Sequence, residues 1–159
     1  MVGDSKSIWL QVAGIVISEE NKWLVVKKQF GSLINQWSLP TDFVNDDETL
    51  DEAAIRQVRE ETGIESVASG IVGIRTGLLK DGISDHLILF SLKPVGGKLK
   101  ESDEKSIIQY LSPQELLFET HTSRLIKFLL RDQKEHVSEF NQVNPGHQFE
   151  YKRYKIFRP

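Results

Sequence analysis

Residues 49–63 read as one short helix that gathers carboxylates on a single side and stops at a glycine. Thr49-Leu50-Asp51-Glu52 has the form of a capping box, with Thr49 as N-cap and Glu52 at the third helical position. Ala53, Ala54, Ile55 and Val58 carry the apolar pattern, and Gly63 is a natural stop past the last turn. Positions four apart share a face, so Arg56 sits beside Glu60, Gln57 beside Glu61, and Ala54 and Val58 pack inward. Adjacent Glu60 and Glu61 repel unless an arginine or a cation lies between them. Arg56 can hold one carboxylate, and a divalent ion can neutralise the rest. An all-oxygen site completed by water and phosphate suits Mg²⁺ or Mn²⁺. The competing reading is a solvated amphipathic helix with ordinary ion pairs. What distinguishes the two is the wider spacing: Glu48 lies eight residues before Arg56, and a Leu39-Pro40 loop precedes both.

With that spacing the chain resembles the Nudix hydrolase family, whose box reads G-x5-E-x7-R-E-U-x-E-E-x-G-U, with U apolar. The box falls on Asp42, Glu48, Arg56, Gln57, Val58, Glu60, Glu61, Gly63 and Ile64, and seven of the nine fixed positions match. Trp37-Ser38-Leu39-Pro40 resembles the approach to the box. Leu92-Lys93-Pro94 followed by Gly96-Gly97 resembles the strand and turn after it. The resemblance covers residues 8 to about 130. Ile74-Arg75 and Ser84-Asp85 are also similar to a subgroup close to plant and animal enzymes acting on ADP-ribose and NADH.

The resemblance implies an α/β (α+β) fold, an α/β/α sandwich with a mixed sheet. It also implies Mg²⁺- or Mn²⁺-dependent cleavage of the pyrophosphate in a nucleoside diphosphate linked to another moiety. Glu60, Glu61 and Asp42 would be the metal residues, and Arg56, Gln57, Glu60 and Glu104 the catalytic ones, with Arg56 orienting the glutamates. Two positions depart from the box. Asp42 replaces a glycine that turns tightly and offers its carbonyl to the metal. Asp tolerates left-handed backbone, so the turn and the carbonyl can survive. Gln57 replaces a glutamate that is a metal ligand and, in some members, the general base. An amide brings no charge and takes no proton from water at neutral pH. Losing a general base commonly costs about 10²–10⁴-fold. Some members carry the base on a later loop, which points to Asp103 or Glu104 here; the plain reading of that segment is a solvated charged turn. Hence two function classes: a pyrophosphohydrolase of reduced activity, or a Nudix-fold module that binds a nucleotide without hydrolysing it.

The 159 residues suit one domain, 1–159, with a basic-aromatic segment from about 134. A net charge of −3 argues against nucleic acid as main partner. With no cysteine, disulfides, thiolate zinc sites and a cysteine nucleophile are excluded. His86, His121, His136 and His147 lack metal-ligand spacing and read as surface or satisfied core residues. No apolar run is long enough to span a membrane. The stretch 8–17 reads as a first strand rather than a signal peptide, so the expected location is cytoplasmic.

Strands are expected at 9–17, 23–28, 71–79, 86–92 and 107–111. Turns are expected at 19–22, 80–82 and 96–97, and a loop at 30–35. Ser112-Pro113-Gln114-Glu115 starts a helix, and another runs from 122 to 131 with Leu125, Phe128 and Leu129 on one face. Phe30, Trp37 and Arg75 are candidate stacking or phosphate contacts, each of them also explicable as packing or surface. Residues 148–158 interleave basic and aromatic side chains. They read as an edge strand or tail docked on the domain or on a partner subunit of a homodimer, in preference to a stacking and phosphate surface for nucleic acid or nucleotide.

Overall fold

The structure is a computed structural model that describes residues 7–131, 138–140, 146 and 150–158; His136, His147 and most of the segment after 131 lie outside the described residues. The elements in chain order are β1 (Ile8–Val16), β2 (Trp23–Lys28), β3 (Trp37–Ser38), β4 (Thr41–Phe43), α1 (Leu50–Thr62) and β5 (Ile64–Leu79). They continue with β6 (Ser84–Gly97), β7 (Ser106–Leu111), α2 (Pro113–Phe118), α3 (Arg124–Arg131), β8 (Ser138–Phe140) and β9 (Tyr151–Arg158).

The central strands are apolar in continuous runs because both faces are covered. Alternation then divides each run. Val12, Val16, Leu24, Val26, Ile88, Phe90 and Leu92 face α1, where Ala53, Ala54 and Val58 are fully buried. Their neighbours Ala13, Ile15, Trp23, Val25, Leu87 and Leu89 face the opposite way, onto Leu116 of α2 and Ile126 and Leu129 of α3. The strands form two sheets, ordered β4-β1-β6-β5-β9-β8 and β3-β2-β7. The β1–β6 pair is parallel and the other pairs are antiparallel. This is the mixed-sheet α/β/α sandwich expected.

Several boundaries differ from the sequence reading. β5 starts at Ile64 rather than 71, because its first half takes its order from pairing with β6 through three register shifts rather than from buried side chains. Gly96 and Gly97 end β6 opposite Glu65 and Ile64 instead of forming a free turn. The approach to α1 holds two short strands, β3 and β4. Asp42 lies in β4 opposite Val12, in extended pairing rather than the left-handed turn anticipated. α3 begins later than expected, since Thr122 bridges to Trp37 and the Ser123 hydroxyl accepts from the Ile126 amide. Its fully buried pair is Ile126 and Leu129, with Leu125 and Phe128 only partly covered. β9 docks on β5 and is flanked by β8, so the C-terminal strand packs on the same sheet but is not at its edge. Among the described residues no helix is long and apolar enough to cross a membrane.

Candidate functional site

α1 forms as the sequence dictates. Thr49 and Glu52 close the capping box, and Gly63 at φ 83° donates its amide to the Arg59 carbonyl. With Val58 buried, Arg56 turns towards β4, where it meets Asp42 and the Phe43 carbonyl.

Arg56 is the hub. Its Nε and Nη2 grip Glu48 Oε2 and Oε1 at 2.9 and 2.8 Å. Nη1 reaches Glu60 Oε2 at 3.2 Å and Asp42 Oδ2 at 3.5 Å, and Nη2 also donates to the Phe43 carbonyl at 3.2 Å. The expected pairing of Arg56 with Glu60 is present, but the tightest contact is the two-point grip on Glu48, the geometry in which a guanidinium binds a carboxylate best. The hydrogen bond from Arg56, helped by the Asn45 amide, holds the Glu48 carboxyl down at about 2 against 4.5. The guanidinium is pushed further up in turn, first by its hydrogen bond to Glu48.

The sign follows directly. A depressed carboxyl contributes stability that is full above about pH 4.5 and is lost as pH falls towards about 2. Thermal unfolding from pH 6 to 2 is therefore expected to show a Tm decline in the wild type that is shallower in Glu48→Gln. Equal slopes for the two proteins would show that Glu48 is not held by Arg56.

Glu61 has a different environment. Its Oε1 lies 2.8 Å from Lys28 Nζ, and its Oε2 accepts from Gln57 Nε2 at 2.7 Å. The same amide nitrogen points at the Thr41 carbonyl, 3.4 Å away. Both neighbours of Gln57 are acceptors, which orients the amide with its NH₂ group towards them. Gln57 is buried and the Glu61 side chain is only 11 % exposed, whereas Glu60 is 58 % exposed.

Glu104 is exposed in the loop before β7. In that loop Asp103 folds back to accept from the Lys105 and Ser106 amides, which lowers its carboxyl. Lys100 ties the start of the loop to α1 through the Glu60 carbonyl and Thr62. Among the described residues, no three acidic, imidazole or thiol side chains converge to hold a metal. Both oxygens of Glu61 are bound to N–H donors and Asp42 is bound by Arg56. As arranged, Glu61 and Asp42 do not fit a divalent cation, on the chemistry of the donors around them, and Glu60 is bound through one oxygen to Arg56.

Beside Lys28 and Thr41 opens a cavity of about 380 Å³ walled by Trp9, Phe30, Leu39, Leu87 and Leu125. Arg75, Asp85 and Tyr151 also line it. Arg75 Nη2 donates to Asp85 Oδ2 at 3.0 Å, and the Tyr151 hydroxyl donates to the same oxygen. Arg75 and Asp85 are both buried. Of the candidate contacts named from sequence, Phe30 and Arg75 line this cavity and Trp37 is core. His86 bonds the Thr76 and Ser84 hydroxyls at 2.8 Å, the satisfied role expected, and His121 is exposed. Sequence reasoning missed Lys28 and Trp9, and named Tyr151 only as part of the basic-aromatic segment 148–158. Lys28 continues an ordinary strand, and nothing in its spacing marks a partner 33 positions away on α1.

The family model for the NUDIX domain matches residues 9–131, and the chain belongs to the Nudix family. It is 31 % identical over 90 residues to a protein of Methanocaldococcus jannaschii named ADP-ribose pyrophosphatase, covering 56 % of this chain and 53 % of that one. It is 28 % identical over 123 residues to a MutT-like protein of Streptomyces ambofaciens, covering 76 % of each. The chain thus spans about half the length of the first relative and three quarters of the second. The crystal structure of a MutT protein from Methanosarcina mazei Go1 superposes with a TM-score of 0.65 at 24 % identity, over 79 % of this chain and 92 % of that one, a likeness of fold.

Proposed function

We propose that the chain is a Nudix-type pyrophosphohydrolase of reduced activity, acting on a nucleoside diphosphate linked to another moiety. The observation that carries this is the cavity of about 380 Å³ that opens at Lys28 and Thr41, beside the carboxylate helix. Its apolar and aromatic walls suit a ring, and Lys28 at its rim suits a phosphate. Hydrolysis bonds a water oxygen to one phosphorus, breaks the bridging P–O bond, and sends the water proton to a base. The exposed carboxylates Glu60 and Glu104, neither of which lines the cavity, are the groups proposed to receive it. Nudix hydrolases generally use divalent cations, and Mg²⁺ or Mn²⁺ is the family expectation. Since the donors of this site are already engaged, no step is assigned to a metal.

The alternative, a module that binds a nucleotide without hydrolysing it, is favoured by the Gln57 amide at the position of a base. Incubating a panel of nucleoside diphosphate derivatives with the chain and Mg²⁺ or Mn²⁺, and assaying released nucleoside monophosphate, separates the two. Turnover of any member supports the hydrolase. Saturable binding of a panel member without product supports the module.

A further inference from the structure

We propose that Lys28 is a built-in counterion that takes the place of a divalent metal at Glu61, so that the chain binds a pyrophosphate-bearing ligand without metal. This rests on the cavity at Lys28 being the ligand site.

Three contacts join Glu61 and Gln57 to their surroundings. Lys28 Nζ lies 2.8 Å from one carboxylate oxygen and Gln57 Nε2 lies 2.7 Å from the other. The Gln57 amide also faces the Thr41 carbonyl at 3.4 Å, next to Asp42. A carboxylate side chain at 57 would present oxygen to that carbonyl and to Glu61, and only a cation between them would relieve the repulsion. An amide presents N–H donors instead and satisfies both acceptors itself. Lys28 then supplies the positive charge that Glu61 still requires, from the end of β2 rather than from solution. A divalent ion entering here would have to displace both donors, or displace the amide and share the carboxylate with an ammonium, like charge against like charge.

Burial strengthens the arrangement. Gln57 is 8 % exposed and the Glu61 side chain 11 %, so the pairing is made largely away from water, where an unpaired group is costly. Lys28 is 29 % exposed, lines the cavity and lies 5.8 Å from the Phe30 ring centroid. An ammonium has three N–H donors, and the bond to Glu61 uses one. The others can meet phosphate oxygens as a point charge, as lysine commonly does in phosphate sites. Gln57 and Lys28 therefore act together: one removes the need for a cation between the acceptors, and the other provides the cation that remains.

The test uses the full chain and needs no turnover. Mn²⁺ is titrated alone and its free concentration followed by electron paramagnetic resonance, for the wild type, Glu61→Gln, and Lys28→Met combined with Gln57→Glu. Lys28→Met/Gln57→Glu is expected to bind Mn²⁺ about 10–100-fold more tightly than the wild type. In parallel, calorimetric binding of inorganic pyrophosphate to the wild type is expected to be the same with Mg²⁺ or with EDTA, and to weaken several-fold in Lys28→Met. Circular dichroism melts identify any variant that fails to fold, in which case Lys28→Gln, which keeps a donor to Glu61 but not the charge, replaces Lys28→Met. Wild-type Mn²⁺ binding that is lost in Glu61→Gln overturns the proposal and leaves the hydrolase reading intact. Pyrophosphate binding that requires Mg²⁺ also overturns it. Absence of turnover across the nucleotide panel would remove the hydrolase reading and leave the Mn²⁺ result unaffected.

Discussion

Gln57→Glu is expected to raise the rate of pyrophosphate hydrolysis, measured with Mg²⁺ present, by about 10²–10⁴-fold, the usual contribution of a general base. The native amide is buried with its nitrogen turned to Glu61 and Thr41, so it offers water no base and the site no charge. A carboxylate there restores both, and the Mg²⁺ present supplies the cation that its approach to Glu61 and the Thr41 carbonyl then requires. Glu104→Gln is the counter-experiment. If Glu104 on its exposed loop is the base, Gln57→Glu changes the rate little and Glu104→Gln abolishes it. If neither substitution yields a measurable rate on any substrate, the non-hydrolytic module replaces the hydrolase.

Gly63→Ala is expected to destabilise the fold by about 2–5 kcal/mol, combining ~1–2 for a left-handed backbone with ~1–3 for overpacking. Gly63 ends α1 at φ +83°, and an added Cβ would lie 2.1 Å from the Lys98 carbonyl oxygen. Gly97 faces it across the same crossing, where a Cβ would lie 2.2 Å from the Gly63 carbonyl oxygen. Backbone meets backbone there, so no side chain can rotate away. Gly31→Ala is the control, because Gly31 has φ +86° with nothing within 4 Å, so only the left-handed cost applies. Chemical denaturation of the two variants side by side measures the difference. Equal midpoints would show that the α1–β6 crossing is looser than these distances require.

These two substitutions also separate what local sequence says from what the fold adds. The helix of residues 49–63 was legible because its instructions are local: a capping box, an apolar face at helical spacing and a glycine stop all lie within one element. The contact of Arg56 with Glu60 follows from that spacing alone. The central strands were legible because alternation assigns their faces. The first half of β5 was not, since its residues are mostly exposed and its order comes from hydrogen bonds to β6, which leave no mark on side-chain pattern. The paired glycines at 96 and 97 resembled a turn for the same reason. Gly97 permits the close approach of two backbones, and nothing near it in the chain encodes the partner.

The site divides along the same line. Sequence alone placed Arg56, Glu60, Glu61 and Gln57 on one helix, because a helix fixes which residues neighbour one another. It also marked Gln57 as an amide among carboxylates. Only the tertiary structure brought Lys28 to Glu61, Glu48 into the grip of Arg56, and Tyr151 to Asp85. Those partners lie on other strands and loops, and their meeting depends on sheet order and register, which are decided by packing across the whole core. The charge that balances Glu61 was therefore invisible in the motif: the motif specifies the carboxylate, and the fold specifies the cation.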